Sequence, residues 1–515
     1  MPVPALVADA FLHLQAGNAS RALEAAREAQ AAHPHVARVF LAEGVALRML
    51  GRLEEAATAL ARGTVLDPRD DALAYESGLV NQMQGNLAVA LSQFEQARVL
   101  NPEFFAAHFS AGSLRFDQRE WAEAAQRFKA ALSVQPEQVD ALAFLARALR
   151  NNCRADEADE VFVHALAANP HDFVLLRAFG QHSVARGNFK RAAKLFTEAL
   201  RAQPDDVALP IFIAQAQLLL GNWDAAWDAY RLRETRRQFE QTLASHPGGY
   251  RVPSPPSLQS RDVCLVAEQG LGDILFFLRW VVNIARVGAR MHFIGPPALL
   301  SMLARTGLFE TLHAFGDVHA PAAIPILIGD LPAMFADDPL AVPTLQLTPL
   351  PERVARWRER LERAGPRPWV GVTWRAGISP EDSPTGLHKL VPPEMLLAAV
   401  RPLGSTFVAL QRHPRAEEIA AGSEGLRMPL HDFSDANEDL EDALALVSLL
   451  DRYVGVSNAN MHLAAAAGKA ADVLVPFPPE WRWREDGDSP WFPGFRVYRQ
   501  RPDGDWHEAL AAIKR

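Results

Sequence analysis

Cysteine is nearly absent from this chain: Cys153 and Cys264 are the only two among 515 residues. A disulfide framework is not expected, and a reducing compartment fits. A basic excess is also missing. Lysine and arginine number 52 against 61 acidic residues, a formal net charge of -9, which argues against a general nucleic-acid binder. No run of about 18 apolar residues occurs, so no spanning helix is expected. The nearest run, ILFFLRWVV, is short and broken by Arg279. The start, MPVPALVADAF, has no basic segment ahead of an apolar run and does not read as a secretory signal. These absences point to a cytoplasmic protein that is not integral to a membrane. With 49% hydrophobic and 22% charged residues the chain should fold. Its length exceeds one ordinary core and predicts two or three domains.

What is present first is a repeat. Prolines fall at Pro34, Pro68, Pro102, Pro136, Pro170 and Pro204, a constant period of 34. Alanines keep the same period at Ala22, Ala56, Ala90, Ala124, Ala158, Ala192 and Ala226. Glycines follow at Gly17, Gly51, Gly85, Gly187 and Gly221, with Arg119 and Cys153 in the two missing positions. A second small position runs through Ala29, Gly63, Ala97, Ala131, Ala165 and Ala199. The glycine ends one helix in a left-handed conformation, the alanine lets a second helix pack close, and the proline stops it. The pattern closely resembles the tetratricopeptide repeat. It predicts an α-superhelix over 1–236 whose groove binds a peptide or protein segment. Support of oligomerisation or of a second domain is the alternative role.

Residues 237–261 change character: prolines and serines cluster after Gly248, as in a linker. Beyond them short β-rich runs alternate with helical stretches. The runs are VCLVAE (263–268), MHFIG (291–295), IPILIG (324–329), WVGVTW (369–374), TFVALQ (406–411), RYVGVS (452–457) and ADVLVPF (471–477). Helices are expected at 273–287, 394–402 and 438–450. This alternation predicts parallel sheets in two Rossmann-like lobes, 262–365 and 366–515, hinged near LERAGPRP (361–368). Ligands then belong at the carboxyl ends of the strands.

Four segments there carry candidate chemistry. In AEQGLGDILFFLRW (267–280) a strand ends, Gly270 and Gly272 allow a tight turn, and a helix starts near Asp273. Asp273 is either a general base or a helix N-cap. In VGVSNANMHLAAAAGK (454–469) a strand meets a helix whose N–H groups near Asn460, Met461 and His462 suit a diphosphate, with Asn458 and His462 as side-chain donors. An ordinary capped helix with His462 in the core is the alternative. In VTWRAGISPEDSPTGLHKLVPPE (372–394), Arg375, His388 and Lys389 are placed to neutralise a pyrophosphate, or else are solvated at the surface. Trp481, Trp483, Trp491 and Phe492 crowd into 477–500, where rings stack on sugars or bases or pack a domain corner.

Together these segments resemble the heptosyltransferase-like glycosyltransferases of the two-Rossmann (GT-B) type, over roughly 262–510. The resemblance rests on GLGD at Gly270 to Asp273, the strand and loop at Thr373 to Gly377, HLAAAAG at His462 to Gly468, and the PPEWRW and SPWFPGFRVYRQ segments. It implies an inverting, metal-independent transfer from a nucleotide-activated sugar, with no further cofactor. Asp273 maps to the base. Asn458, Asn460, Met461 and His462 map to the donor diphosphate, Lys389 to a phosphate contact and Gln411 to the nucleotide. Gly270, Gly272 and Arg375 complete the donor set. Many relatives carry Asp-Thr where this chain has Ser457-Asn458. The fusion with repeats is similar to protein O-glycosyltransferases, including those acting on flagellin, which implies a protein acceptor. Alternatives are a scaffold with a degenerate transferase domain and a glycan or lipid-linked acceptor.

Overall fold

The computed structural model describes residues 5–243, 250–317, 323–335, 342–376, 389–404 and 406–513. The chain forms two compact units, 1–182 and 183–515. None of the described helices is long and apolar enough to cross a membrane.

The first unit is a series of helix pairs: Ala5–Gln15 with Ala19–Ala32, Ala37–Met49 with Leu53–Leu66, Asp71–Met83 with Leu87–Leu100, Phe105–Asp117 with Trp121–Val134, and Val139–Asn151 with Ala155–Ala168. The periodic alanines explain the pairing. Ala22, Ala56, Ala90, Ala124 and Ala158 are all fully buried where the second helix meets the first. At the second small position a side chain on Gly63 would come 2.7 Å from Leu73 Cδ2, so the helices close to a distance that excludes it.

The turn after each first helix adopts a left-handed residue. Gly17, Gly51 and Gly85 have φ of 73°, 73° and 81°, and Arg119 and Cys153 adopt the same conformation at 64° and 59°. A residue with a Cβ bears roughly 1–2 kcal/mol there, partly offset by the freedom glycine loses on folding. Arg119→Gly and Cys153→Gly should therefore each raise stability by up to about 1 kcal/mol. The check is a higher urea midpoint at unchanged slope.

The second unit begins with further repeat helices, Phe189–Ala202, Leu209–Leu219 and Trp223–Tyr230, followed by Glu234–Thr242. Its strands are β1 (Asp262–Val266), β2 (Arg290–Gly295), β3 (Phe309–Ala314), β4 (Ile324–Leu327), β5 (Trp369–Thr373), β6 (Arg375–Ala376), β7 (Lys389–Leu390), β8 (Thr406–Ala409), β9 (Leu430–Asp432), β10 (Arg452–Val456), β11 (Asp472–Val475) and β12 (Arg496–Arg499). One parallel sheet runs β3-β2-β1-β4 and the other β12-β11-β10-β5-β8-β9, with β6 and β7 a short antiparallel pair. Every residue of β5, β8 and β11 is buried, as a sheet covered on both faces requires.

One core joins the last repeat helices to both sheets: Ala214, Trp227 and Tyr230 pack in a cluster with Leu265, Phe276, Trp280, Val473 and Trp491. The two compact units therefore divide at 182/183, inside the repeat array, whose helices run on to Tyr230. The repeat period continues through a segment whose partners lie in the α/β region. Part of the expected linker is helical, in Glu234–Thr242 and a 3-10 turn at Pro255–Leu258. All seven expected strands are present. The edge strands β3, β9 and β12, and the two-residue strands β6 and β7, have no counterpart in the sequence reading.

Candidate functional site

The segment after β1 is held from beneath by a buried ionic network. Glu268 accepts from Arg233 Nε (2.9 Å) and Nη2 (2.5 Å) and from the Gly329 N–H (2.9 Å). Arg233 Nη1 donates to Asp330 (2.7 Å), whose other oxygen accepts from the Tyr250 hydroxyl (2.6 Å). The three charged side chains are each 1% exposed. Burial works against the Arg233 charge, but the paired carboxylates hold its pKa above the ordinary value. Gln269 adopts φ 67° and bonds the Tyr230 hydroxyl. The chain then turns at Gly270 into helix Leu271–Phe277.

Asp273 sits in the first turn of that helix. The N-cap is Gly270, so the carboxylate is not the cap. Its partner is Arg482, with which it forms an ion pair. The helix packs on Ala459–Ala466, where a Cβ on Gly272 would come 3.2 Å from His462 Cδ2. The absence of a side chain at Gly272 is what allows the two helix starts to meet.

The second helix start is partly closed. Asn458 is its N-cap and accepts the Asn460 N–H at 3.0 Å, and the Met461 N–H bonds the Asn458 carbonyl at 3.1 Å. Those two amides do not face outward as expected, because the cap side chain and the first turn have taken them. Met461 itself is fully buried in the core. The Asn458 amide donates to Thr373 Oγ1 (3.0 Å). Asn460 Nδ2 reaches Asn437 (3.1 Å).

Beside these helices stand Lys389, Glu480 and Arg482. Lys389 pairs with Glu480 and donates to the Ser457 carbonyl at 3.3 Å. Ser457 Oγ donates to Glu480 (3.0 Å) and accepts from Trp483 Nε1 (2.8 Å). Arg482 lies 4.4 Å over the Trp481 ring and 5.2 Å over Phe276. Arg279 is 1% exposed, donates to the carbonyls of Phe276 and Trp491 (3.0 Å each), and leaves Nη2 without a partner among the described residues. Burial and then Arg482 push its pKa down to about 9. Burial and then Arg482 push Lys389 down to about 8, with Asp273 acting the other way. Burial, Arg482, Arg279 and Lys389 together hold His462 well below its usual range, so its imidazole is neutral. Three cationic side chains thus face two carboxylates, and the surplus positive charge sits where water is scarce. Such a place suits an anion.

Asp273, Lys389 and His462 therefore come together with Gly270, Gly272 and Asn458. Gln411 and Arg375, expected at the donor, are bonded within the protein. Gln411 is buried and its Oε1 accepts the N–H groups of Trp374 (3.1 Å) and Arg375 (3.0 Å). Arg375 grips Glu418 (2.8 and 3.1 Å) and the His413 carbonyl (2.7 Å). His388 lies outside the described residues. Among the described residues no group of three or more His, Cys, Asp or Glu is placed to hold a metal. Arg279, Glu480 and Arg482 were missed by the sequence reading. The aromatic residues of PPEWRW were noted, but not the charges between them.

Two tetratricopeptide-repeat profiles match the chain, one at 10–71 and 75–126 and the other at 115–178 and 183–230. The chain thus carries tetratricopeptide repeats ahead of an α/β region with parallel sheets. Protein FlbA of Caulobacter vibrioides is 27% identical over 329 residues, 58% of this chain and 52% of that protein. The chain spans about half the length of this curated relative. Among solved structures, Pseudomonas aeruginosa pilF aligns at 18% identity and TM-score 0.37, covering 41% of this chain and 96% of its own. A tetratricopeptide repeat protein from Parabacteroides merdae aligns at 18% identity and TM-score 0.36, covering 45% and 92%.

Proposed function

We propose that the chain is a cytoplasmic glycosyltransferase. In this reading it moves a sugar from a nucleotide-activated donor to a hydroxyl of a protein held by the repeats, flagellin being one such acceptor. The two parallel sheets are taken as the lobes of a GT-B transferase. The observation that carries the reading is the buried positive surplus of Arg279, Lys389 and Arg482 beside Asp273. Asp273 accepts the acceptor's hydroxyl proton as its oxygen attacks the anomeric carbon. The bond to the nucleoside diphosphate breaks with inversion, and the leaving group carries away the electron pair. Lys389 and Arg482 neutralise the charge that develops on it, a role that needs no metal. Neutral His462 is available as a hydrogen-bond partner.

A second reading has its own support. Asn458 stands at the strand end, and the Asn460 and Met461 amides are already bonded. These features fit a scaffold whose transferase domain no longer turns over.

A thermal-shift screen across UDP, GDP, ADP, CMP and dTDP separates the two. A nucleotide at about 100 times its Kd should add roughly 2.7 kcal/mol of stability. Lys389 carries its charge below about pH 8 and loses it above. Nucleotide affinity should therefore drop about tenfold from pH 7 to pH 9 as one charged hydrogen bond is lost. Lys389→Met should show the weaker value at both. No stabilisation by any nucleotide leaves the scaffold reading standing.

A further inference from the structure

Within the second unit the last repeat helix, Trp223–Tyr230, reaches the segment that carries Asp273. Its final residue, Tyr230, is buried, with its ring beside Phe277 (5.8 Å between centroids) and under the Arg233 guanidinium (4.7 Å). The Tyr230 hydroxyl accepts the side-chain amide of Gln269. Arg233, just beyond the helix, donates to the Tyr230 carbonyl (3.2 Å) and to Glu268 (2.9 Å). The end of the repeats therefore holds consecutive residues, Glu268 and Gln269, directly ahead of the Gly270–Asp273 turn. The same helix also reaches the partner of Asp273: Trp227 stands edge-on to Trp481 at 6.1 Å, and Arg482 lies 4.4 Å over Trp481.

Gln269 needs that hold. It is exposed and adopts φ 67°, the left-handed region that a residue with a Cβ enters only at a cost. Gly270 beside it has φ -82°, so the strained residue is the glutamine and not the glycine. The Gly270 carbonyl accepts the N–H groups of Asp273 and Ile274, at 3.0 Å each. The direction of that carbonyl sets where the helix begins and where Asp273 is aimed. The cost of a left-handed residue and the contribution of one hydrogen bond are of the same order, so a single bond decides the turn. Burial, with Glu268 and Asp273 adding to it against Arg233, raises the Tyr230 pKa, so the hydroxyl keeps its proton.

We propose that Tyr230 is a positioning residue for Asp273: its hydroxyl holds Gln269 left-handed and so fixes the turn that aims the carboxylate. The last repeat helix is then part of the catalytic site and not only a tether for an acceptor. What Asp273 does once aimed rests on the transferase reading, but the hold on the turn can be measured without sugar transfer. A Tyr230 that merely filled the core would act through its ring, which phenylalanine supplies equally well.

Hydrogen–deuterium exchange on the full chain tests it at the Asp273 and Ile274 amides. Tyr230→Phe keeps the ring and removes the hydroxyl, and exchange at those amides should rise about tenfold while the amides of β10 keep their rates. Gln269→Ala breaks the same bond from its exposed side, without touching the core, and should raise exchange equally. The two substitutions together should do no more than either alone, because they remove one interaction. Gln269→Gly placed in the Tyr230→Phe protein should restore protection, since glycine enters the left-handed region unaided. Tyr498→Phe, which removes a hydroxyl 3.3 Å from Asp472 in the other sheet, should leave both amides unchanged. Unaltered exchange in Tyr230→Phe and Gln269→Ala, additive effects of the pair, or no recovery with Gln269→Gly overturns the proposal. Nucleotide thermal shifts on the same protein report the transferase reading separately: exchange as expected with no stabilisation by any nucleotide upholds the hold on the turn and sinks the transferase reading alone.

Discussion

Arg233→Met is expected to remove about 3–5 kcal/mol of stability from the second unit, the usual cost of breaking a buried ion pair from one side. The guanidinium meets Glu268 through two nitrogens and Asp330 through a third, with all three side chains 1% exposed. Methionine fills much of the volume but leaves Glu268 buried without a counter-charge and Asp330 with only the more distant Arg236, at 3.6 Å. The Gly329 N–H and the Tyr250 hydroxyl still donate to them, which softens the loss without removing it. Arg231→Met is the matched control. Arg231 pairs with Asp228 at 3.3 Å, with side chains 42% and 72% exposed, and such a pair contributes about 1 kcal/mol at most. Urea denaturation resolves the difference if the second unit is followed by its tryptophan fluorescence, since the two units need not unfold together. A loss below about 1 kcal/mol at Arg233 would mean the carboxylates are protonated or hydrated in the variant, and that the network does not anchor the loop leading to Asp273.

How much of this was legible depended on how local the cause was. The repeats could be read because the helix crossing itself demands a small residue, so Ala22 to Ala226 keep step with one period. Arg119 and Cys153 were visible as gaps in the glycine row, and both take up the glycine conformation. The boundary at 182/183 was not legible, because it is set by Trp227 and Tyr230 burying themselves against residues far along the chain. Asp273, Lys389 and His462 could be nominated because strand ends in a parallel sheet gather at one edge. Their partners could not. Arg482 reaches Asp273 across 209 positions, and Arg279 looked only like the break in an apolar run. The internal partners of Arg375 and Gln411 could not be read either, because nothing in the sequence ties Arg375 to Glu418, or Gln411 to the backbone of Trp374.

Asp273→Asn should lower sugar transfer by two to four orders of magnitude, the usual range for loss of a positioned general base. The substitution keeps the shape of the side chain and removes its capacity to accept the acceptor's proton. Stability should change little. The pair with Arg482 is part-exposed, at 31% and 11%, and solvent screens it. Nucleotide binding should hold or strengthen, since Arg482 is freed from a competing carboxylate and a phosphate can take its place. Arg482→Gln gives the opposite division: nucleotide affinity falls about tenfold or more with the loss of a charge-assisted contact, while the base is left without its partner. A base role and a merely structural one are thereby separated. If Asp273 only positioned Arg482, both substitutions would weaken the nucleotide and neither would affect turnover at saturation. Unimpaired turnover by a folded, nucleotide-saturated Asp273→Asn protein removes Asp273 from the chemistry and requires another proton acceptor in the cluster. Glu480 is the remaining carboxylate there, held by Lys389 and Ser457.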